Sequence, residues 1–183
     1  MTRKGDIKMP KRSKESIEKD EKKILQELLK DSSQSIDTIA KGLNFSRQKV
    51  WRDVKRLKAE DVIWGYNAVI NDEKLGLKSY FVLIKRSPYP LTDELTSTII
   101  QRDIEHTGKN IGISVENSCY THGSYDWIIG FTAIDVKHAK KFCEILNKTY
   151  HKYIADIQLL EGLFWIRKHG LLNPKKEKLK EFT

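Results

Sequence analysis

No stretch of this chain approaches the roughly 18 consecutive apolar residues that a membrane-spanning helix needs. Its N-terminus is charged but no apolar h-region follows, so neither a signal peptide nor a membrane partner is expected, and a cytoplasmic location is. Cysteine is scarce. Cys119 and Cys143 are the only two, and they form no C-x-x-C. That spacing argues against a disulfide scaffold or a zinc site and leaves two buried free thiols as the expectation. There is no Gly-rich phosphate loop and no nucleophile elbow or triad spacing. His106, His138, His151 and His169 are scattered over polar positions. No metal site, cofactor or enzymatic activity is expected from this inventory.

Positive charge is what the chain has in excess. Its 34 Lys and Arg outnumber 25 Asp and Glu, for a net charge of +9 and a pI near 9.4. Such a balance favours a polyanionic partner. At 183 residues there is room for two small domains. Residues 1–16 are basic, with Arg3, Lys4, Lys8, Lys11, Arg12 and Lys14 against Asp6 and Glu15. They have too little apolar content to fold alone and are expected to form a disordered tail. Residues 171–183 read as a second basic tail.

Residues 35–71 carry the most information. Ile36, Ile39, Ala40 and Leu43 repeat at helical spacing, as do Val50, Val54 and Leu57. Upstream, Ile24, Leu25, Leu28 and Leu29 form a third stripe. Ser35 and Ser46 suit the N-caps of the second and third helices. Asn44 stands in the turn between them, where a left-handed residue is expected. Two amphipathic helices with a short turn, the second of them basic, is the helix-turn-helix layout, whose second helix enters the DNA major groove. Ser46, Arg47, Gln48, Lys49, Arg52, Lys55 and Arg56 are the expected DNA-binding residues. Arg47, Gln48 and Arg52 lie in the first two turns, where base edges are met, and Arg and Gln suit guanine and adenine. Lys55, Arg56 and Lys58 are placed for phosphate. The plainer reading is a solvated basic face, and the attached helix and turn weigh against it.

The pattern changes after residues 67–78, a strand and hinge centred on Gly76. Strands are expected at 79–86, 115–121, 125–133 and 157–167, and helices at 91–105 and 136–153. The first helix has Leu91, Leu95, Ile99 and Ile100 as its stripe. The second turns Ala139, Phe142, Cys143 and Leu146 inward. The order βαββαβ is ferredoxin-like. With helices on one face, the other face of the sheet is free for a second copy of the chain.

Residues 17–170 resemble the Lrp/AsnC, or feast/famine, family of transcription regulators. Asp20 with Ile24 and Leu25 is similar to the family's opening helix, and residues 46–57 are similar to its recognition helix. Residues 63–71, IWGYNAVIN, resemble its I-x-G-Y-x-A-x-x-N strand. Asn44 and Asp61 replace two glycines common in the family. Gly123, Ser124, Tyr125 and Asp126 match its G-x-Y/F-D motif.

The resemblance implies an α+β fold. A three-helix, winged helix-turn-helix domain (17–66) would be joined by a strand and hinge (67–78) to a ferredoxin-like ligand-sensing domain (79–170). It implies pseudo-palindromic double-stranded DNA as partner, self-association into dimers, tetramers or octamers, and a small-molecule effector beside residues 123–126. Asp126 has a structural reading too, as a residue that fixes the hairpin. Amino-acid-binding members often carry hydroxyl residues at the positions that the resemblance matches to Ile157 and Leu159, so a small polar amino acid is not the expected effector. A competing reading is the tetrapyrrole (sirohaem-type) decarboxylase built on the same architecture, for which His122 beside Tyr120 would be the candidate. The stretch CYTHGSYDWIIGF matches its motif poorly.

Overall fold

Three serines set where the first helices begin. Ser13, Ser35 and Ser46 each have extended backbone, and each hydroxyl oxygen accepts a backbone N–H three residues on, from Ser16, Thr38 and Lys49. These are helix N-caps. They start α1 (Lys14–Lys30), α2 (Ile36–Leu43) and α3 (Arg47–Ala59). The computed structural model describes residues 13–182. The chain divides into two units, Met1–Ala68 and Val69–Thr183. Most of the basic lead lies outside the described residues, but α1 begins inside the segment read as a tail.

The core of the first unit is Ile24, Ile39, Ala40, Val50 and Val54, ringed by Leu28, Ile36, Leu43, Phe45 and Ile63. Leu29 does not belong to it and is 84% exposed. Five residues beyond Ile24, it falls about 140° around the helix, off the stripe. Asn44 adopts φ 55°, ψ 41° and its N–H closes the end of α2. Asp61 has φ 55°, and Val62 N–H returns to the Leu57 carbonyl at 2.9 Å. Both positions are left-handed, and Asn and Asp bear that conformation better than other residues with side chains.

Residues 63–71 form no strand, and none of the described residues of the first unit does. The expected wing and linker strand are therefore absent from the single chain. A ladder needs a partner for its N–H and C=O groups, and these residues have no strand beside them here. Trp64 is 95% exposed, and Tyr66 and Ile70 stand out as well.

In the second unit a 3₁₀ turn (Asp72–Leu75) ends at left-handed Gly76. Then follow β1 (Lys78–Arg86), α4 (Asp93–Ile100), α5 (Asp103–Lys109), β2 (Ser114–Tyr120), β3 (Trp127–Ala133), α6 (Val136–Tyr150) and β4 (Ile154–Gly162). The sheet order is β2-β3-β1-β4, with every pair antiparallel. This is the βαββαβ arrangement. Alternation sends Tyr80, Val82 and Ile84 of β1 and Ile129, Phe131 and Ala133 of β3 under the helices. There they meet Leu95, Ile104, Ala139, Phe142 and Leu146. Burial pushes the Cys143 thiol up to about 11, so it stays protonated at neutral pH. Cys119 is exposed, against expectation, because it lies opposite Ile128 on the other sheet face.

The helix expected at 91–105 is broken. Arg102 takes φ 61° between α4 and α5. Seven residues after Leu95, it would return to the buried side of a continuous helix, where an unpaired guanidinium is costly. The left-handed residue resets the phase. Ile104 is then buried, Arg102 pairs with Glu105 at the surface, and Ile99 and Ile100 are left exposed.

The last strand ends at Gly162, not 167. The chain then folds back over the open sheet face. Trp165 lies on Phe81, ring centroids 5.6 Å apart, and its Nε1–H donates to Ser79 Oγ at 2.8 Å. The hairpin β5 (Arg167–Lys168) and β6 (Leu171–Leu172) follows. Lys168 donates to both carboxylate oxygens of Asp72, at 2.9 and 2.7 Å. A 3₁₀ helix at Lys176–Glu181 brings Phe182 against Phe164. The described part of residues 171–183 is thus folded rather than a tail, and one end of the face expected to be free is covered.

Gly108 tests how tightly this core is packed. A Cβ there would stand 3.1 Å from Phe142 Cε2 and 3.3 Å from Ile113 Cβ. Both neighbours are buried, and Phe142 is held edge-on by Phe131 at 4.9 Å. Alanine gains about 1 kcal/mol of helix propensity, but overpacking costs about 1–3 kcal/mol. Gly108→Ala is expected to lower the urea midpoint, and a raised midpoint would show the core to be more yielding than this.

Candidate nucleic-acid interface and effector region

The third helix sorts its side chains by angle. Val50, Asp53, Val54 and Leu57 are buried. At 100° per residue, Arg47, Gln48, Trp51, Arg52, Lys55 and Lys58 fill one arc of about 140° beside that stripe, and all six are exposed. They occupy the first, second, fifth, sixth, ninth and twelfth positions of the helix. Arg47 Nε lies 3.3 Å from Asp37 Oδ1, both well exposed, so the pair contributes little. Lys55 Nζ stands 5.1 Å above the Trp51 ring and Lys58 Nζ 4.6 Å above the Tyr66 ring.

Two of the expected contacts turn the other way. Lys49 is only 9% exposed. Its ammonium donates to Asp53 Oδ2 at 2.7 Å, lies 3.1 Å from Asp20 Oδ2 and stands 4.6 Å from the Phe45 ring centroid. Arg56 is half-buried, and its Nε and Nη2 both donate to Glu21 Oε1 of α1, at 2.9 and 2.5 Å. That bond holds the guanidinium above its usual pKa. Both cations lie about 180–200° around the helix from Arg47, next to the buried stripe. They join α3 to α1, with Lys49 buried and Arg56 partly exposed. Ser46 acts through its cap. Of the seven expected residues, Arg47, Gln48, Arg52 and Lys55 share the exposed face. Trp51 was passed over because an aromatic residue in a helix is ordinarily counted with the core. Its place on the arc between Arg47 and Lys55 was the available signal.

In the second unit, Gly123 and Ser124 are exposed in the turn before β3. Asp126 closes the hairpin. Its carboxylate Oδ2 accepts the Arg86 backbone N–H at 2.8 Å, its own N–H donates to the Ile84 carbonyl, and its carbonyl accepts the Thr121 N–H. Tyr125 Oη donates to Gln158 Oε1 at 2.7 Å, and Gln158 Nε2 to Asp156 Oδ2 at 3.3 Å. The Arg86 guanidinium donates from Nη1 to Tyr120 Oη at 2.9 Å, while its Nε is buried without a partner among the described residues.

The apolar residues Ile157 and Leu159 do not line this region. Register pairs them with Ile84 and Val82, and they pack against the core under the helices. The open face of β4 carries Asp156, Gln158 and Leu160 instead. The chemical objection to a small polar effector therefore falls away. His122 is exposed. Among the described residues no group of three His, Cys, Asp or Glu could hold a metal ion. None of the helices there is long and apolar enough to cross a membrane.

A helix-turn-helix (HTH) domain profile matches residues 21–63. The chain is similar to the DNA-binding transcriptional activator DecR of Escherichia coli K12, at 33% identity over 70 residues, 38% of this chain and 46% of that protein. The match thus spans about half the length of that curated relative. Among solved structures, it is similar to an AsnC family transcriptional regulator from Agrobacterium tumefaciens, with a TM-score of 0.62 at 20% identity over 84% of this chain and 94% of that one. It is also similar to a feast or famine regulatory protein of M. tuberculosis complexed with L-methionine, with a TM-score of 0.64 at 18% identity over 85% and 96% of the two chains. The chain therefore has a helix-turn-helix domain and the two-unit α+β fold of Lrp/AsnC-type regulators.

The ion pairs inside the first unit separate structural from contact cations. Lys49→Ala removes the nearest cation from the buried Asp53 carboxylate, which keeps Arg56 Nη2 at 3.5 Å, and is expected to cost about 1–3 kcal/mol of stability, read by urea unfolding followed by circular dichroism. Lys55→Ala should leave the curve in place. A stable Lys49→Ala variant that has lost DNA affinity would return Lys49 to the contact surface.

Proposed function

We propose that a chain with the Lrp/AsnC-type fold and this exposed helix face is a sequence-specific DNA-binding transcriptional regulator that acts as an oligomer. The observation that carries the reading is the division of α3. Lys49 and Arg56 fasten it to α1, and its exposed side presents Arg47, Gln48, Arg52 and Lys55 behind a serine cap. Arg47, Gln48 and Arg52 enter the major groove and meet base edges. Lys55 and Lys58 neutralise phosphates, which sets affinity and register without choosing sequence. The positive balance of the chain supports the same partner. The regulator works in the cytoplasm and carries out no reaction of its own.

Two copies associate through the part of the sheet face that Trp165 leaves open, where Leu83, Cys119, Ile128 and Leu160 lie. The exposed apolar residues of 63–71 supply a second contact between copies. Unpaired backbone beside exposed Trp64 and Tyr66 favours addition of a second strand. Two heads held by one dimer read two half-sites about one helical turn apart.

The effector binds beside Gly123, Ser124, Tyr125 and Asp126. Tyr125, Gln158 and Asp156 offer hydroxyl, amide and carboxylate groups, enough for the ammonium and carboxylate of an amino acid. The M. tuberculosis protein complexed with L-methionine supports that class. A ligand placed between copies prefers one assembly over another and so alters the spacing of the heads.

Three measurements test these assignments. Arg52→Ala should cost about 1–3 kcal/mol of specific binding and relax preference at one base pair, while Lys55→Ala weakens all duplexes and lowers the salt slope by about 0.9. Unchanged specific binding by Arg52→Ala would move the helix out of the groove. In sedimentation velocity at micromolar concentration the full chain should run as a dimer or larger, and a monomer would refute the assembly. In a thermal-shift screen of the twenty amino acids, at least one should stabilise the wild type and lose its effect on Gln158→Ala. Gln158 is the better probe because Asp126→Ala also frees the Arg86 N–H. A shift that survives in Gln158→Ala would place the ligand elsewhere.

A further inference from the structure

Trp51 is the one large apolar side chain among the exposed residues of α3. It is 57% exposed, with Arg47 and Lys55 four residues to either side and Arg52 beside it. Leaving an indole in water forgoes the free energy of burying it, so its position on this face is informative. Its own unit leaves it more than half exposed, although Val54, three residues on, is buried. An apolar protein surface is a poor cover, since docking it would strip water from Arg47, Arg52 and Lys55 with no anion in return. A polyanion satisfies the three cations and covers the ring together.

Only one apolar group lies on the base edges of the major groove, the C5-methyl of thymine, and beside it stands the O4 acceptor. An indole has the matching parts, an apolar body and a single N–H donor. Lys55 Nζ lies 5.1 Å above the ring. The ammonium thereby restricts where the ring can lie and remains available to the phosphate chain.

We propose that Trp51 reads thymine in the operator by packing on its C5-methyl group. The inference rests on the DNA-binding reading above and adds a specificity residue to it. Arg47, Gln48 and Arg52 select by hydrogen bonds, while Trp51 selects by an apolar contact that no other base pair supplies at that place. The contact belongs to the second turn of the helix, between the bases met by Gln48 and the phosphates met by Lys55.

The test removes the methyl group from the DNA and leaves the protein untouched. A binding site is selected from a random duplex pool with the full-length wild type. Each dT is then replaced singly by dU, which deletes only the methyl, and affinity is read by fluorescence anisotropy. One dT per half-site should show a loss of about fourfold, the worth of one buried methyl-sized group. Trp51→Ala should bind the dT and dU duplexes equally. Because Trp51 is exposed, the melting curve of the variant should match the wild type. Uniform tolerance of dU by a wild type that selects a site overturns the inference alone. So does a dT preference that persists in Trp51→Ala. Failure of the wild type to select any duplex overturns the regulator reading itself.

Discussion

The pairing of Lys49 with Asp53, nearly out of reach of water, decides what the third helix offers to a partner. A cation and a carboxylate four residues apart lie on one side of a helix, and here that side faces α1. Asp20 and Glu21 come up from α1 to meet Lys49 and Arg56. A slip of α3 would leave a desolvated charge unpaired, which is costly. The rotation of α3 about its axis follows from this. Once it is set, Gln48, Trp51, Arg52 and Lys55 have one direction to point. A helix counted as uniformly basic is in fact two sets of cations with different duties.

The second unit depends in a similar way on one strand. β1 lies in the interior of the sheet between β3 and β4, and its two faces serve two layers. Tyr80, Val82 and Ile84 belong to the core beneath the helices. Ser79 and Phe81 meet Trp165, from the segment that folds back after β4. Gly130 and Gly162 flank Phe81 on the neighbouring strands, where an added Cβ would stand 3.5 and 3.4 Å from its ring, an ordinary contact. The fold-back segment is then tied to the start of the unit by Lys168 and Asp72, both largely buried. An interface built on this sheet face must use the portion that remains.

Local signals were legible where one residue's chemistry sufficed. The Ser35 and Ser46 caps, left-handed Asn44, and the α2 and α3 stripes are read from local sequence alone, because they answer to backbone geometry within a single turn. The βαββαβ order followed from the same periodicities. Spacing failed where a distant neighbour cast the deciding vote. Lys49 reads as surface until Asp20 is seen beside it. Arg102 reads as helix interior until the core is seen to exclude it. Ile157 and Leu159 read as lining a ligand site until the register with Ile84 and Val82 turns them inward. Residues 63–71 read as a strand, yet a strand is a property of two segments, and one chain supplies only one of them.

The amino-acid sequence by itself determined the helix-turn-helix, its caps, the βαββαβ succession of elements in the second unit and the excess of positive charge. Each of these is set by the period of apolar residues or by the backbone preference of one residue, and neither requires knowledge of what lies across the fold. Tertiary structure decided which cations face water, where the sheet is covered and which side of β4 lines the region around Tyr125. Those outcomes turn on pairs of residues far apart in the chain. Burial of one partner changes the worth of the other, and no local pattern records that dependence.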